Sequence, residues 1–368
     1  MDKFAVLSIS MEEKLDYIIV GQGLAGSILS FNALKRGKKI KVIASDDFEA
    51  SSKVAAGIIN SVVLKRLTKS WRADEFNSYL RKFYPQLEDF LNLHFFEPTN
   101  TLKLISSEEE EKYWLSRRIK NELSAYLSDE IHNSKLSKFF NFQKSGEIFQ
   151  TFLLDVVPLL EHYLSKIREK GLFINENFDY LKLQSIDNKI KYKNLTADYL
   201  VFAEGFHTIS NPFFNWLPFT LNKGEILNIK TEQLDINSVV NKGIFILPLG
   251  KTSYKIGSTF EWEKLDKKPT EEKRNEIIKK FEEMSAAKVD VVGQVAGIRP
   301  ATKDRRPFLG KHPKYQNVYI FNGMGSKAGL MAPLLSHELL EHIEYGKKLH
   351  KESSIERFKN LYQVDSLK

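Results

Sequence analysis

Residues 16–27 read DYIIVGQGLAGS, an apolar run ending at Val20, three glycines at positions 21, 23 and 26, and the opening of an apolar helix. This G-x-G-x-x-G string sits after a strand and before a helix, the context in which its physical logic applies. Lacking a Cβ, Gly21 makes the tight turn, Gly23 admits a dinucleotide's pyrophosphate, and Gly26 lets helix pack on strand. The first helical N–H groups are left facing the anion. A plain βαβ crossover does not need all three glycines. The helix is expected to run to about Arg36, closed by Gly37, with a second strand through KIKVIA, residues 39–44.

An acid that holds ribose hydroxyls is expected at the end of that second strand. Ala44 and Ser45 occupy the place and the first acid is Asp46, so Ser45 and Asp46 are taken to share the role. The next segment separates NAD from FAD. A simple NAD domain continues at once with further βα units, whereas this chain enters SSKVAAGIIN (51–60), whose small residues allow close backbone approach to a ligand. From Val62 to about Phe142 come aromatic helical stretches with the texture of an inserted cap. A helix is expected from about Thr151 to Lys170, ended by Gly171, and then ADYLVFAEG (197–205) reads as a buried parallel strand stopping at a glycine. Residues 206–292 carry KGEILNIK, GIFILPLG and TSYKIGSTFEW separated by turns, the pattern of a mainly antiparallel sheet. NVYIFNGMGSKAGLMAPLLSHELLEHI (317–343) repeats the strand, glycine turn and helix.

Composition narrows the chemistry. With 368 residues, two domains are expected. No cysteine is present, so disulfides, thiolate metal ligands, a catalytic thiol and a flavin tethered through sulfur are all excluded. HELLEH (337–342) places its histidines five apart, which takes them off the shared helix face that H-E-x-x-H requires, so no metal site is expected. Glu108 to Glu111 after Ser106-Ser107 read as a capped first helical turn. The net charge of +8 is spread among lysines interleaved with acids and is read as a solvated basic surface, so nucleic acid is not expected as a partner. No apolar stretch approaches a membrane span. MDKFAVLSIS is followed by acids where a cleavage site should be, so either Met1 or Met11 is the start and the cytoplasm is the expected compartment.

The order of DYIIVGQGLAGS, SSKVAAGIIN, ADYLVFAEG, KGEIL and GIRPATKDRRPFLG, followed by GMGSKAGLMAP, resembles the glycine oxidase and D-amino-acid oxidase family of FAD-dependent oxidoreductases, from about Asp16 to Ile343. The resemblance implies an α/β fold: a Rossmann-like FAD-binding domain of glutathione-reductase type (13–60, 149–205 and 293–345) and an inserted α+β substrate domain (61–148 and 206–292) with a mainly antiparallel sheet. It implies hydride removal from the carbon next to an amine nitrogen, delivery to flavin N5, hydrolysis of the imine and reoxidation by dioxygen. The partner is a small amine or amino acid.

The same resemblance supplies roles. Gly21, Gly23, Leu24, Ala25 and Gly26, with Phe178 and Gly205, would belong to the FAD site. Ser51 and Ser52 would bind the pyrophosphate or ribityl region, and Ala55, Ala56 and Gly57 would pass near the isoalloxazine ring. Gly323, Met324, Gly325, Ser326 and Lys327 would face the flavin's pyrimidine edge. Arg299 would clamp a substrate carboxylate, and Lys255 matches a lysine that related monomeric sarcosine oxidases use to promote the oxygen reaction. Phe245 stands where glycine oxidases have a tyrosine that assists the clamp, which points to a larger or differently posed substrate. Two other functions remain open: the flavin domain that trims a wobble-uridine substituent in tRNA, which GMGSKAGLMAPL also resembles, and a flavin-binding protein of low turnover.

Overall fold

The structure is a computed structural model that describes residues 13–46, 50–134 and 136–362. The choice between Met1 and Met11 lies outside the described residues, as does part of the polar turn 45–50. Strand β1 (Glu13–Val20) leads through the glycine turn into helix α1 (Leu24–Lys35) and strand β2 (Ile40–Ala44). β1 pairs in parallel with β2 and with Leu195–Phe202, β2 with Phe173–Asn175, and Leu200–Phe202 with Val318–Ile320. The central strands of this sheet are covered on both faces, which is why they read as continuous apolar runs.

One face carries α1, Val156–Glu169 and Ala328–Tyr345. The helix Ala73–Leu91 joins them, although its sequence has cap texture. Its Phe76, Leu80, Phe83, Tyr84 and Leu87 recur at helical spacing and share one core with Ile19, Val42 and Phe321 of the sheet. The Tyr84 hydroxyl donates to the Gly329 carbonyl at 2.6 Å, fixing this helix against the last one.

Among the described residues the second sheet has nine strands, with Asp290–Arg299 at one edge, then Asn222–Lys230, Ser253–Gly257, Ile244–Pro248, Val239–Lys242, Phe96–Ile105, Lys144–Leu154 and Ile58–Ile59, and with His132–Asn133 paired to Lys144–Leu154 off this path. Only Val239–Lys242 against Phe96–Ile105 is parallel in that path, so the expected antiparallel character holds. The expected helix start near Thr151 is corrected: residues 151–154 complete a strand paired with 96–99, and the helix begins at Val156. Apolar FLL satisfies either period over so few residues, and the pairing decides. The boundaries at 149 and 293 proposed from sequence fall inside strands of this sheet.

Residues 51–59 stitch the two sheets together. The Leu24 amide donates to Ser52 Oγ at 3.2 Å on the nucleotide side, and the Ile298 amide to Ser51 Oγ at 3.3 Å on the other.

Candidate active site

The three glycines of the first turn do different work. Gly21 has φ +110°, and a Cβ there would lie 2.4 Å from the Ala203 carbonyl oxygen; at Gly26 it would lie 2.0 Å from the Gly21 oxygen. Both are demanded by the fold itself. A Cβ on Gly23 would meet nothing closer than Ser52 Oγ at 3.5 Å, and its φ of −73° suits any residue. The fold itself does not demand a glycine there. Helix α1 begins at that point with no cap from Gly23 itself and no acid in its first turn; apart from the Leu24 amide, which donates to Ser52 Oγ, its first amides and the positive end of its dipole suit an anion.

That space is a cavity of about 930 Å³ between the two sheets. All of the cofactor residues named from sequence line it except Gly26 and Gly323. Gly323, at φ +77°, is required by packing, since a Cβ would approach Thr302 Cγ2 to 2.7 Å. Asp46 sits at the end of β2, where the ribose ligand is expected. Its carboxylate accepts from Asn175 Nδ2 at 2.7 Å and from Arg168, and its amide donates to Asn175 Oδ1 at 2.9 Å. The donor set and the glycine cradle fit a dinucleotide.

Arg299 reaches the same cavity from the far end of its strand. Nη1 donates to Asn222 Oδ1 at 2.8 Å and to the Thr259 carbonyl at 3.3 Å, and Nη2 to Ser258 Oγ at 3.0 Å. One Nη2 hydrogen and the Nε hydrogen are left over among the described residues. The guanidinium lies over Gly224, where a Cβ would fall 1.9 Å from Nη2, so only glycine permits this pose. Burial without a carboxylate partner pulls its pKa down to about 10. Phe245 lines the cavity too, whereas Lys255 does not. Lys255 pairs with Leu247, two residues along from the Phe245–Gly257 pair, so it is on the cavity side of the sheet but beyond the wall.

Lys327 precedes the last helix, and its ammonium donates to the Asn60 carbonyl at 3.2 Å and to Ser70 Oγ. Burial lowers its pKa to about 8. Sequence reading passes over Glu204, which lines the cavity directly after Ala203. Asn211 Nδ2 and the Tyr180 hydroxyl each donate to its carboxylate at 2.6 Å, and burial pushes the pKa up to about 7. The only signal in the sequence is an acid closing an otherwise apolar strand. Because the folded value exceeds the ordinary one near 4.5, the folded state holds the extra proton between them, and stability is lost as pH rises towards 7. Glu204→Gln should therefore abolish a loss of up to about 3 kcal/mol that the wild-type apoprotein shows between pH 4.5 and 8 in denaturant titrations. Parallel pH profiles for the two proteins would assign the titration elsewhere.

Among the described residues no cluster of His, Cys, Asp or Glu could hold a metal ion, and no helix is long and apolar enough to cross a membrane. The family model described as FAD dependent oxidoreductase matches residues 16–342. Glycine oxidase of Bacillus licheniformis is 22% identical over 357 residues, covering 90% of this chain and 94% of that protein. The crystal structure of glycine oxidase from Geobacillus kaustophilus superposes with a TM-score of 0.74 at 18% identity, covering 92% of this chain and 96% of that one. Iminodiacetate oxidase from Chelativorans sp. BNC1 gives a TM-score of 0.74 at 16% identity, covering 93% and 98%.

Proposed function

The chain belongs to the FAD-dependent oxidoreductase family, and from that premise we propose that it oxidises the C–N bond of an amine or amino acid bearing a carboxylate. FAD, when bound, supplies the acceptor for the hydride. The α1 N-terminus, Gly23 and Ser52 would hold its diphosphate and Asp46 its ribose, and Ala55, Ala56 and Gly57 would lie beside the ring. The observation that carries the substrate class is Arg299: a partly buried, desolvated cation with no carboxylate partner among the described residues, two unused N–H donors, and a place in the wall of the cofactor cavity. A planar fork of this kind pairs with a carboxylate and fixes the neighbouring carbon in one orientation. The substrate then loses a hydride from that carbon and a proton from nitrogen, and water hydrolyses the resulting imine. Phe245 contributes an apolar wall without a hydroxyl, so the carboxylate relies on Arg299.

An anaerobic screen of amino acids and secondary amines for bleaching of the flavin absorbance tests this reading. Rapid bleaching by a carboxylate-bearing amine is expected, and its absence across the whole screen would favour a flavin-binding protein of low turnover.

Dioxygen is the proposed final acceptor, reduced to hydrogen peroxide, and Lys255, on the cavity side of its strand but outside the lining residues, is the candidate whose positive charge would promote that reaction from beyond the wall. Lys255→Met should slow stopped-flow reoxidation about tenfold or more while sparing flavin reduction. An unchanged rate would leave Lys255 as a strand lysine without that role.

A further inference from the structure

The strand Ser253–Gly257 runs out into residues 258–269, which border the cavity at two places. At the start, Ser258 lines the cavity and accepts from Arg299. Near the end, the Lys267 ammonium stands 5.3 Å from the ring centroid of Phe206, another wall residue. Between these anchors Phe260 and Trp262 are 54% and 57% exposed. Their ring centroids are 6.1 Å apart and their planes 17° from parallel. The Phe260 ring also lies 4.8 Å from Arg299 Cζ. Neither ring is among the residues that line the cavity; the pair stands just outside it, against Arg299, and an aromatic pair that leaves half of its surface in water there gains little for the fold and marks a contact surface. Covering the guanidinium face would require Phe260 alone.

Building on the carboxylate reading of Arg299, we propose that Phe260 and Trp262 form a stacking platform for a planar aromatic group of the substrate, which makes the substrate an aromatic amino or imino acid and not one of glycine size. The cation–π contact occupies a face of the guanidinium and leaves its N–H edge for the carboxylate, so both ends of one ligand are held together. An offset stack is extended best by another flat ring, whose quadrupole it complements, and less well by a saturated ring of equal bulk. The charges on the segment, Glu261, Glu263 and Asp266 against Lys264, Lys267 and Lys268, are mixed in sign and select no polyanion.

The test uses the FAD-loaded protein and reads dissociation constants from perturbation of the flavin absorbance by acetate, phenylacetate and cyclohexylacetate. Phenylacetate should bind wild type about tenfold or more tightly than acetate, and more tightly than cyclohexylacetate. Trp262→Ala should bring the phenylacetate-to-acetate ratio within about twofold of unity, and Trp262→Phe should keep most of the preference. Equal binding of acetate and phenylacetate by wild type, or a preference that survives Trp262→Ala, overturns the platform and leaves the role of Arg299 standing. If no carboxylate binds wild type, the Arg299 reading fails and the platform with it.

Discussion

Arg299→Ala is expected to lower kcat/KM for a carboxylate substrate by roughly thirtyfold to several thousandfold, because removing one partner of a buried charge pair costs about 2 to 5 kcal/mol. The structure explains why one side chain carries so much. Asn222, Ser258 and the Thr259 carbonyl hold the guanidinium in place but bring no negative charge. On the proposed reading, the ligand carboxylate is the counter-ion that offsets desolvation. Phe245 provides no second donor. Lysine in the same place should restore only part of the loss, since an ammonium makes one directed contact where the fork makes two. The deciding comparison is a carboxylate substrate against its neutral amide. Wild type should prefer the carboxylate, and the variant should lose most of that preference while retaining FAD. Equal discrimination by both proteins, or loss of flavin from the variant, would make Arg299 a structural or cofactor-binding residue.

Sequence alone makes parts of this site legible and hides others, and the difference lies in the range of the interactions. The glycine turn is read within a dozen residues because its strand, turn and helix are consecutive, and Gly21 and Gly26 are tied to backbone only a few residues or one strand away. Arg299 can be named by resemblance, but its pose cannot. It depends on Asn222 standing opposite Arg299 and Gly224 opposite Gly297, a register that exists only once strands far apart in the chain, Asn222–Lys230 and Asp290–Arg299, have paired. Lys255 shows the reverse case, since a suitable residue type on the right strand lies beyond the cavity wall. The helix Ala73–Leu91 reads as cap for a similar reason. Its aromatic stripe announces a buried face without saying which sheet receives it, and Tyr84 against Gly329 answers that.

The middle glycine offers a way to separate fold from cofactor. Gly23→Ala should leave the melting temperature of the apoprotein close to wild type, because the added Cβ meets only Ser52 Oγ at 3.5 Å and Ala50 Cβ at 3.7 Å, ordinary contacts. The same methyl group would stand where the diphosphate must approach the backbone. Charge-assisted hydrogen bonds contribute about 1.5 to 3 kcal/mol each, so displacing two of them should weaken FAD roughly a hundredfold or more. Gly26→Ala is the opposite experiment. Its Cβ would lie 2.0 Å from the Gly21 carbonyl oxygen, a backbone atom that cannot rotate aside. That variant should lose about 1 to 3 kcal/mol or more of apoprotein stability before any cofactor is considered. The pair is measured by thermal melts without FAD and by fluorescence titration with it. Unchanged FAD affinity in Gly23→Ala would move the diphosphate away from the α1 N-terminus, and a large drop in its apoprotein melting temperature would mean that the fold, and not the cofactor, demands this glycine.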